Sequence, residues 1–259
     1  NIAPEPRQIR GQVDLLDTHL DGDIYVWLEG FKIGTRTDED GYFHIDIPKE
    51  LGESSYAGLN GIFKLYFYVA NYNIQTVDVV VRNGMFVYGE GGVGRDGSLR
   101  EVVTMGKILN IFTLVVPKWV HGDFDGPINV QVTLQATHDS VTVIYPKSIG
   151  GLLGAILLRH KVTNEIFVDI PDLNAKTRAL DIIGTDPKSR RMIFQLNGTN
   201  YRDLFLPVGD YEVIPYFLIE HDDLPQELLQ TLGDNVEMIG KNFLKIPHRR
   251  EGGRFRVID

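Results

Sequence analysis

The amino-acid sequence predicts an all-β fold of two β-sandwich domains, with one short helix near residues 223–233. Three observations lead to this prediction. Apolar and polar residues alternate with period two through the first half of the chain, which is typical of half-buried strands. Asp-Gly and Asn-Gly pairs separate these runs, as tight turns between strands do. Between the strands there are no amphipathic helices of about ten or more residues, which a parallel α/β sheet would need.

In the first half, each strand is marked by a row of apolar residues at every second position. Rows of this kind begin at Ile24, Phe43, Phe63 and Val77, and a longer apolar run over residues 108–116 ends at Pro117. Because successive side chains of a strand point to opposite faces, we expect these rows to face a core.

A domain boundary is predicted where residues 117–127, rich in Gly and Asp, interrupt the strand pattern. Alternation resumes at Ile128. Further strands are expected at residues 141–145, 155–160, 165–170, 191–196 and 211–220. The sequence is therefore divided into a lead-in over residues 1–7, a first domain over residues 8–121 and a second over residues 122–259.

The predicted helix has an Asp223 cap, an early Pro225 and a terminal Gly233, which are common helix start and stop signals. The run over residues 149–158 is apolar but is about half of the ~20 residues that span a bilayer, so we interpret it as a buried strand or a buried turn and strand. The locally basic tail from Lys241 onward is expected to be solvated.

Composition excludes several classes of function. The 259 residues carry a net charge of −9, which argues against a general nucleic-acid binder, since such proteins depend on a basic surface. With no cysteine, the chain has no disulfide, thiolate metal site or cysteine nucleophile. The sequence begins with Asn1 instead of methionine, and we expect an exported protein, compatible with a lipid anchor upstream of residue 1.

Three segments of the first domain carry a family resemblance: residues 9–13 (IRGQV), residues 24–30 (IYVWLEG) and residues 35–45 (TRTDEDGYFHI). Together they resemble the carboxypeptidase regulatory-like domains, which are small β-sandwiches of transthyretin (prealbumin) type. The resemblance implies an accessory module without an active site in an exported protein of a bacterial envelope. Residues 206–213 (LPVGDYEV) are similar to the Gly-x-Tyr strand entry common in these and related sandwiches. From this match the second domain is expected only to be a β-sandwich, Ig-like or related.

Residues 89–94 (GEGGVG) match the glycine pattern of a dinucleotide-binding loop. That function requires a helix directly after the glycines, but Arg95, Asp96 and Gly97 follow instead. We interpret the segment as a surface loop and expect no cofactor.

Residues 38–41 (DEDG) and 123–126 (DFDG) place carboxylates two apart before a glycine, as calcium loops do. The bidentate glutamate of such loops stands at position twelve, where these segments have Lys49 and Leu134. Both are therefore predicted to be turns. Since the seven histidines show no His-x-x-x-His pair, no metal site is predicted.

The candidate functional surface is a set of ring-bearing side chains on the strand faces opposite the predicted core of the first domain. Its members are Tyr25, Trp27, Tyr42, His44, Tyr66 and Tyr68. Large exposed apolar patches usually mark contact sites. Three interpretations remain open: packing against the second domain, a loop or another subunit; binding of a carbohydrate or peptide; and an incorrect assignment of strand faces.

From these observations we expect a non-catalytic exported envelope protein that acts in adhesion, scaffolding or recognition, with a protein or a polysaccharide as partner. One alternative is a carbohydrate-binding accessory module. Another is a hydrolase whose site is assembled from scattered residues of the second domain.

Overall fold

The computed structural model describes residues 7–17, 22–47, 58–146, 154–170, 178–196 and 204–259. The chain is all-β, as predicted, with its strands in several sheets. It forms two compact units: unit 1 contains residues 1–107, 222–234 and 246–248, and unit 2 contains residues 108–221, 235–245 and 249–259. The lead-in expected over residues 1–7 falls outside the described residues except for Arg7.

In the part of unit 1 that the structure describes, the strands form two sheets. The strands are β1 (Gln8–Leu15), β2 (Tyr25–Leu28), β3 (Ile33–Arg36), β4 (Tyr42–Asp46), β5 (Gly61–Tyr68), β6 (Gln75–Arg82), β7 (Met85–Phe86) and β8 (Val103–Met105). One sheet has the order β4-β1-β8 and the other β3-β2-β5-β6-β7. β1 pairs antiparallel with β4 and parallel with β8.

The core of unit 1 lies between these sheets. In β4 burial alternates residue by residue, with Phe43 and Ile45 buried between exposed neighbours, which confirms the predicted period. The rings of Phe43 on β4 and Phe67 on β5 meet edge to face with centroids 5.6 Å apart, joining the two sheets. The predicted rows starting at Ile24 and Val77 contribute to the same cluster.

The described residues of unit 2 form three sheets. The strands are β9 (Leu109–Val116), β10 (Trp119–His121), β11 (Ile128–Ala136), β12 (Val141–Pro146), β13 (Ile156–His160), β14 (Ile166–Asp169), β15 (Arg178–Ile183), β16 (Lys188–Phe194), β17 (Gly209–Pro215), β18 (Leu218–Ile219), β19 (Glu251–Gly252) and β20 (Arg254–Ile258). The sheet orders are β10-β20-β17-β13-β14, β16-β11-β9-β19 and β15-β12-β18. The rings of Phe194 on β16 and Phe255 on β20 pack between the first two of these sheets, with their centroids 5.6 Å apart.

The Gly-x-Tyr segment enters β17 through a contact typical of Ig-type sandwiches. The hydroxyl of Tyr211 donates a hydrogen bond back to the carbonyl oxygen of Pro207 at 2.6 Å, which is the geometry of a tyrosine corner. Burial raises the pKa of Tyr211 to about 12, and Glu165 adds to the shift.

The observed division of the chain differs from the boundary expected near residue 122. β9 pairs with β11 along its length, with Val115 opposite Val130, so it belongs to unit 2. Residues 117–127 therefore connect strands of one unit through β10. The glycines and aspartates of this segment mark a turn correctly, but a turn inside a domain and a linker between domains have the same local composition.

The C-terminal tail differs from the solvated end that we expected. β20 lies between β10 and β17, and Phe255 and Val257 are buried. The alternation of residues 254–257 (RFRV) carries this signal, which the local positive charge obscured.

The predicted helix is present as α1 (Gln226–Leu232), followed by a 3-10 helix over Lys241–Lys245. The N-cap position is Pro225, and no side chain caps the helix, so Asp223 does not have the expected role. Of the apolar run 149–158, residues 149–153 lie outside the described residues, and Ile156 begins β13.

Candidate binding cleft

Four of the six candidate residues are buried within the chain. Tyr25, Trp27, Tyr66 and Tyr68 lie on the neighbouring strands β2 and β5, and Trp27 is only 1% exposed. The rings of Trp27 and Tyr66 pack with centroids 5.5 Å apart. These four side chains therefore do not form an accessible surface.

Helix α1 lies on this aromatic face. The hydroxyl of Tyr25 donates a hydrogen bond to Oγ1 of Thr231 at 2.9 Å, and Thr231 in turn donates to the carbonyl oxygen of Leu228 at 2.7 Å. Burial, with smaller contributions from Glu29 and Asp223, raises the pKa of Tyr66. Of the interpretations left open by the sequence, packing accounts for these residues, and the covering segment belongs to the same unit.

Tyr42 and His44 lie on β4 in the other sheet, and both are exposed, Tyr42 at 54%. In the antiparallel register with β1, Tyr42 lies opposite Gln12 and His44 lies opposite Arg10. The outer face of this strand pair therefore presents a ring, an imidazole, an amide and a guanidinium side by side.

A cleft of about 710 Å³ opens over this face. β1 and β4 form its floor, and residues 98–102 form a wall on one side. Its volume lies within the roughly 300–1,000 Å³ that small-molecule sites occupy. Arg10, Gln12, Tyr42 and His44 all line it.

The wall is held in place by hydrogen bonds and by packing. The backbone N–H of Leu99 donates to the carbonyl oxygen of Arg10 at 2.8 Å. The guanidinium of Arg100 donates to the carbonyl oxygens of Gly89 at 2.6 Å and Gly91 at 3.1 Å. The glycine-rich segment thus anchors the wall, and no helix follows it within residues 95–116, consistent with the predicted surface loop.

Arg10 is oriented by a short chain of hydrogen bonds. Its Nε donates to Oγ of Ser98 at 2.9 Å, and that hydroxyl donates to Oδ2 of Asp96 at 3.0 Å. The backbone N–H of Ser98 also donates to Asp96 at 3.1 Å, and the two bonds from Ser98 lower the pKa of the Asp96 carboxyl. Arg10 is therefore preorganised at the rim of the cleft.

The DEDG segment is a turn, as predicted. Oδ1 of Asp38 accepts hydrogen bonds from the backbone N–H groups of Asp40 at 3.1 Å and Tyr42 at 2.8 Å. Gly41 has a φ of 79°, which glycine adopts without strain. Through these bonds the turn fixes the start of β4 and the position of Tyr42. Within the described part of the chain, no group of three His, Asp or Glu residues is arranged to hold a metal ion.

In unit 2 the buried carboxylate of Asp181 receives hydrogen bonds from Lys188 and Arg190. Arg190 also donates to the hydroxyl of Tyr145 at 3.3 Å. This acid is held by two cations, and the arrangement is an ion-pair network between strands. The hydrolase alternative gains no support from it and stays a prediction.

Sequence reasoning missed the cleft residues Arg10, Gln12 and Ser98–Val102. The first two occupy outward positions of β1 in the alternation that was used to predict strands, so their exposure could have been inferred. Residues 98–102 carry no periodic signal, and their position depends on Arg100 reaching back to Gly89 and Gly91.

Comparison with known proteins identifies no family. No family model matches the chain, and no curated protein matches it. Among solved structures, the Bacillus anthracis TIE protein aligns with 7% sequence identity and a TM-score of 0.24, over 98% of this chain and 50% of that one. The chain thus spans half the length of that structure. Among the described helices, none is long and apolar enough to cross a membrane.

Proposed function

We propose that this protein is a non-catalytic recognition protein of the bacterial envelope, acting in adhesion, scaffolding or partner binding, and that the cleft over β1 and β4 is its binding site. One observation carries the proposal: Tyr42 stands exposed in a cleft of about 710 Å³ beside Arg10, Gln12 and His44. A tyrosine ring combines apolar area with a polar group, and surrounding donors and acceptors orient a bound molecule.

The assignment to the envelope has a different basis, namely the resemblance of residues 9–45 to carboxypeptidase regulatory-like domains. Cell fractionation with an antibody against the chain tests it. Recovery in the envelope or extracellular fraction supports the assignment, and recovery in the cytoplasm contradicts it.

Retention of the full chain on a panel of immobilised soluble polysaccharides and envelope proteins tests the binding function. We expect Tyr42→Ala to abolish retention on whichever member binds. Trp119→Ala is the matched control, because Trp119 is an exposed ring on β10 of unit 2, at 58% exposure. Retention that survives Tyr42→Ala, or that requires Trp119 instead, contradicts the proposed site.

A further inference from the structure

A second cleft lies on the other side of the wall that bounds the first. It has a volume of about 380 Å³ and is lined by Gln75, Thr76 and Val77 of β6, by Gly92 and by residues 99–104. Residues 99–102 therefore lie between the two clefts and line both.

The wall between the clefts is fixed at both ends. At one end, the backbone N–H of Arg100 donates to the carbonyl oxygen of Gly92 at 3.0 Å. At the other, Val103 begins β8 and lies opposite Val13 of β1. Glu101 and Val102 between these points are exposed. A molecule that fills both clefts must pass over these residues, so it must be extended.

The side chains of the two clefts favour a neutral ligand rich in hydroxyl groups. Gln12, Gln75 and Thr76 offer uncharged donors and acceptors. The charged side chains of the lining balance one another, two guanidiniums against two carboxylates: Arg10, Arg100, Asp38 and Glu101. The clefts therefore present no excess of positive charge that would select a polyanion.

An extended peptide fits this surface less well, because peptides commonly add a strand to a free sheet edge. Both edges of β1 in the cleft floor are occupied. β4 pairs along one edge, and on the other Arg10 exchanges backbone hydrogen bonds with Gly97 and Leu99 at 3.1 and 2.8 Å. β4, the other floor strand, ends the described sheet on the side away from residues 98–102, so a peptide strand added there would lie beside the cleft. The cleft floor itself offers a face of side chains, which suits sugar rings and hydroxyls.

We propose that the ligand is a neutral polysaccharide chain that stacks one sugar ring on Tyr42 and crosses Glu101 and Val102 into the second cleft. This inference rests on the proposed function, since it assigns the ligand class of the same site. It predicts that affinity increases with the length of the oligosaccharide, because only longer chains reach Gln75 and Thr76 of β6 in the second cleft.

An array of neutral and acidic oligosaccharides of two to eight sugars, printed beside extended peptides, tests the inference with the full chain. We expect binding to neutral glycans that strengthens with length. Substituting both Gln75 and Thr76 with Ala should weaken binding of the longest members about fivefold or more, and leave disaccharides unchanged, because hydrogen bonds are lost only in the second cleft. Asp78→Ala, an exposed substitution on the same strand, is the matched control.

The outcomes separate the two proposals. Tyr42-dependent binding that is complete with a disaccharide, or that ignores the Gln75 and Thr76 substitutions, overturns the extended ligand and keeps the proposed site. Tyr42-dependent binding to acidic glycans or to peptides overturns the ligand class. Binding to no printed glycan overturns the inference, and binding that is unchanged by Tyr42→Ala overturns the proposed function as well.

Discussion

Gly11 in β1 has no room for a side chain. A Cβ atom at this position would lie 2.8 Å from the side chain of Leu99 and 2.9 Å from the ring of Phe43. Real Cβ contacts are not this short, so glycine here lets Leu99 of the cleft wall pack against the sheet beneath it.

We therefore expect Gly11→Val to lower the free energy of unfolding by about 1–3 kcal/mol through overpacking, and to weaken binding in the cleft by displacing Leu99. Urea denaturation measures the first effect. Gln12→Val, on the solvent-facing side of the same strand, is the control for strand propensity. Equal stability of the Gly11→Val variant and the wild type would contradict the described packing.

Tyr211 is predicted to contribute to the alkaline limit of stability. Its folded-state pKa of about 12 lies above its ordinary value of 10. Because the pKa is raised, the phenol contributes its full stabilisation of the folded chain below pH 10. This contribution is lost as the pH rises from 10 through about 12, because in this range the phenol of the unfolded chain ionises before that of the folded chain. Melting temperatures across this range should fall less steeply for Tyr211→Phe than for the wild type. Parallel curves for the two proteins would contradict the buried phenol.

Helix α1 acts as a cover for the aromatic face of β2 and β5. Its residue Leu228 is fully buried, and Thr231 holds the hydroxyl of Tyr25 at 2.9 Å. The stability of unit 1 therefore depends on a segment that lies 206 residues after Tyr25 in the sequence.

Leu228→Ala is expected to cost about 2–5 kcal/mol in unfolding free energy, because a leucine removed from a packed site leaves a cavity. Gln230→Ala, on the exposed side of α1, should leave stability nearly unchanged. Chemical denaturation of both variants makes the comparison. If the two substitutions cost the same, α1 does not pack as described.

The same elements show what sequence reasoning could and could not reach. Alternation identified β2, β4 and β5 and separated their two faces, since that information is local. It could not show that the outward face of β2 and β5 is covered while that of β4 is open. Coverage depends on α1, whose proline, terminal glycine and apolar residues predict a helix but not its docking site.

At the scale of the whole molecule, the two units are discontinuous in sequence. Unit 1 takes residues 222–234 and 246–248 from the C-terminal part of the chain, and unit 2 takes its β20 from the last residues. A boundary read from composition assumes that each domain is one continuous stretch, and this chain does not meet that assumption.

A cut between residues 121 and 122 is therefore expected to yield two fragments that do not fold separately. The first carries β9 and β10 without their partners β11 and β20, and it lacks α1, whose Thr231 accepts a hydrogen bond from Tyr25. Near-ultraviolet circular dichroism and thermal unfolding of each fragment test this expectation. Cooperative unfolding of either fragment alone would contradict the discontinuous division.

The measurement that tests the central claim most directly is the affinity of the wild type and of Tyr42→Ala for the longest neutral oligosaccharide bound on the array. Tyr42 is 54% exposed and does not belong to the core cluster of unit 1, so its removal should leave the melting temperature unchanged. We predict that affinity falls about tenfold or more, as expected for the loss of a stacked ring. Equal affinity of the two proteins at equal stability would contradict the assignment of the cleft over β1 and β4 as the recognition site.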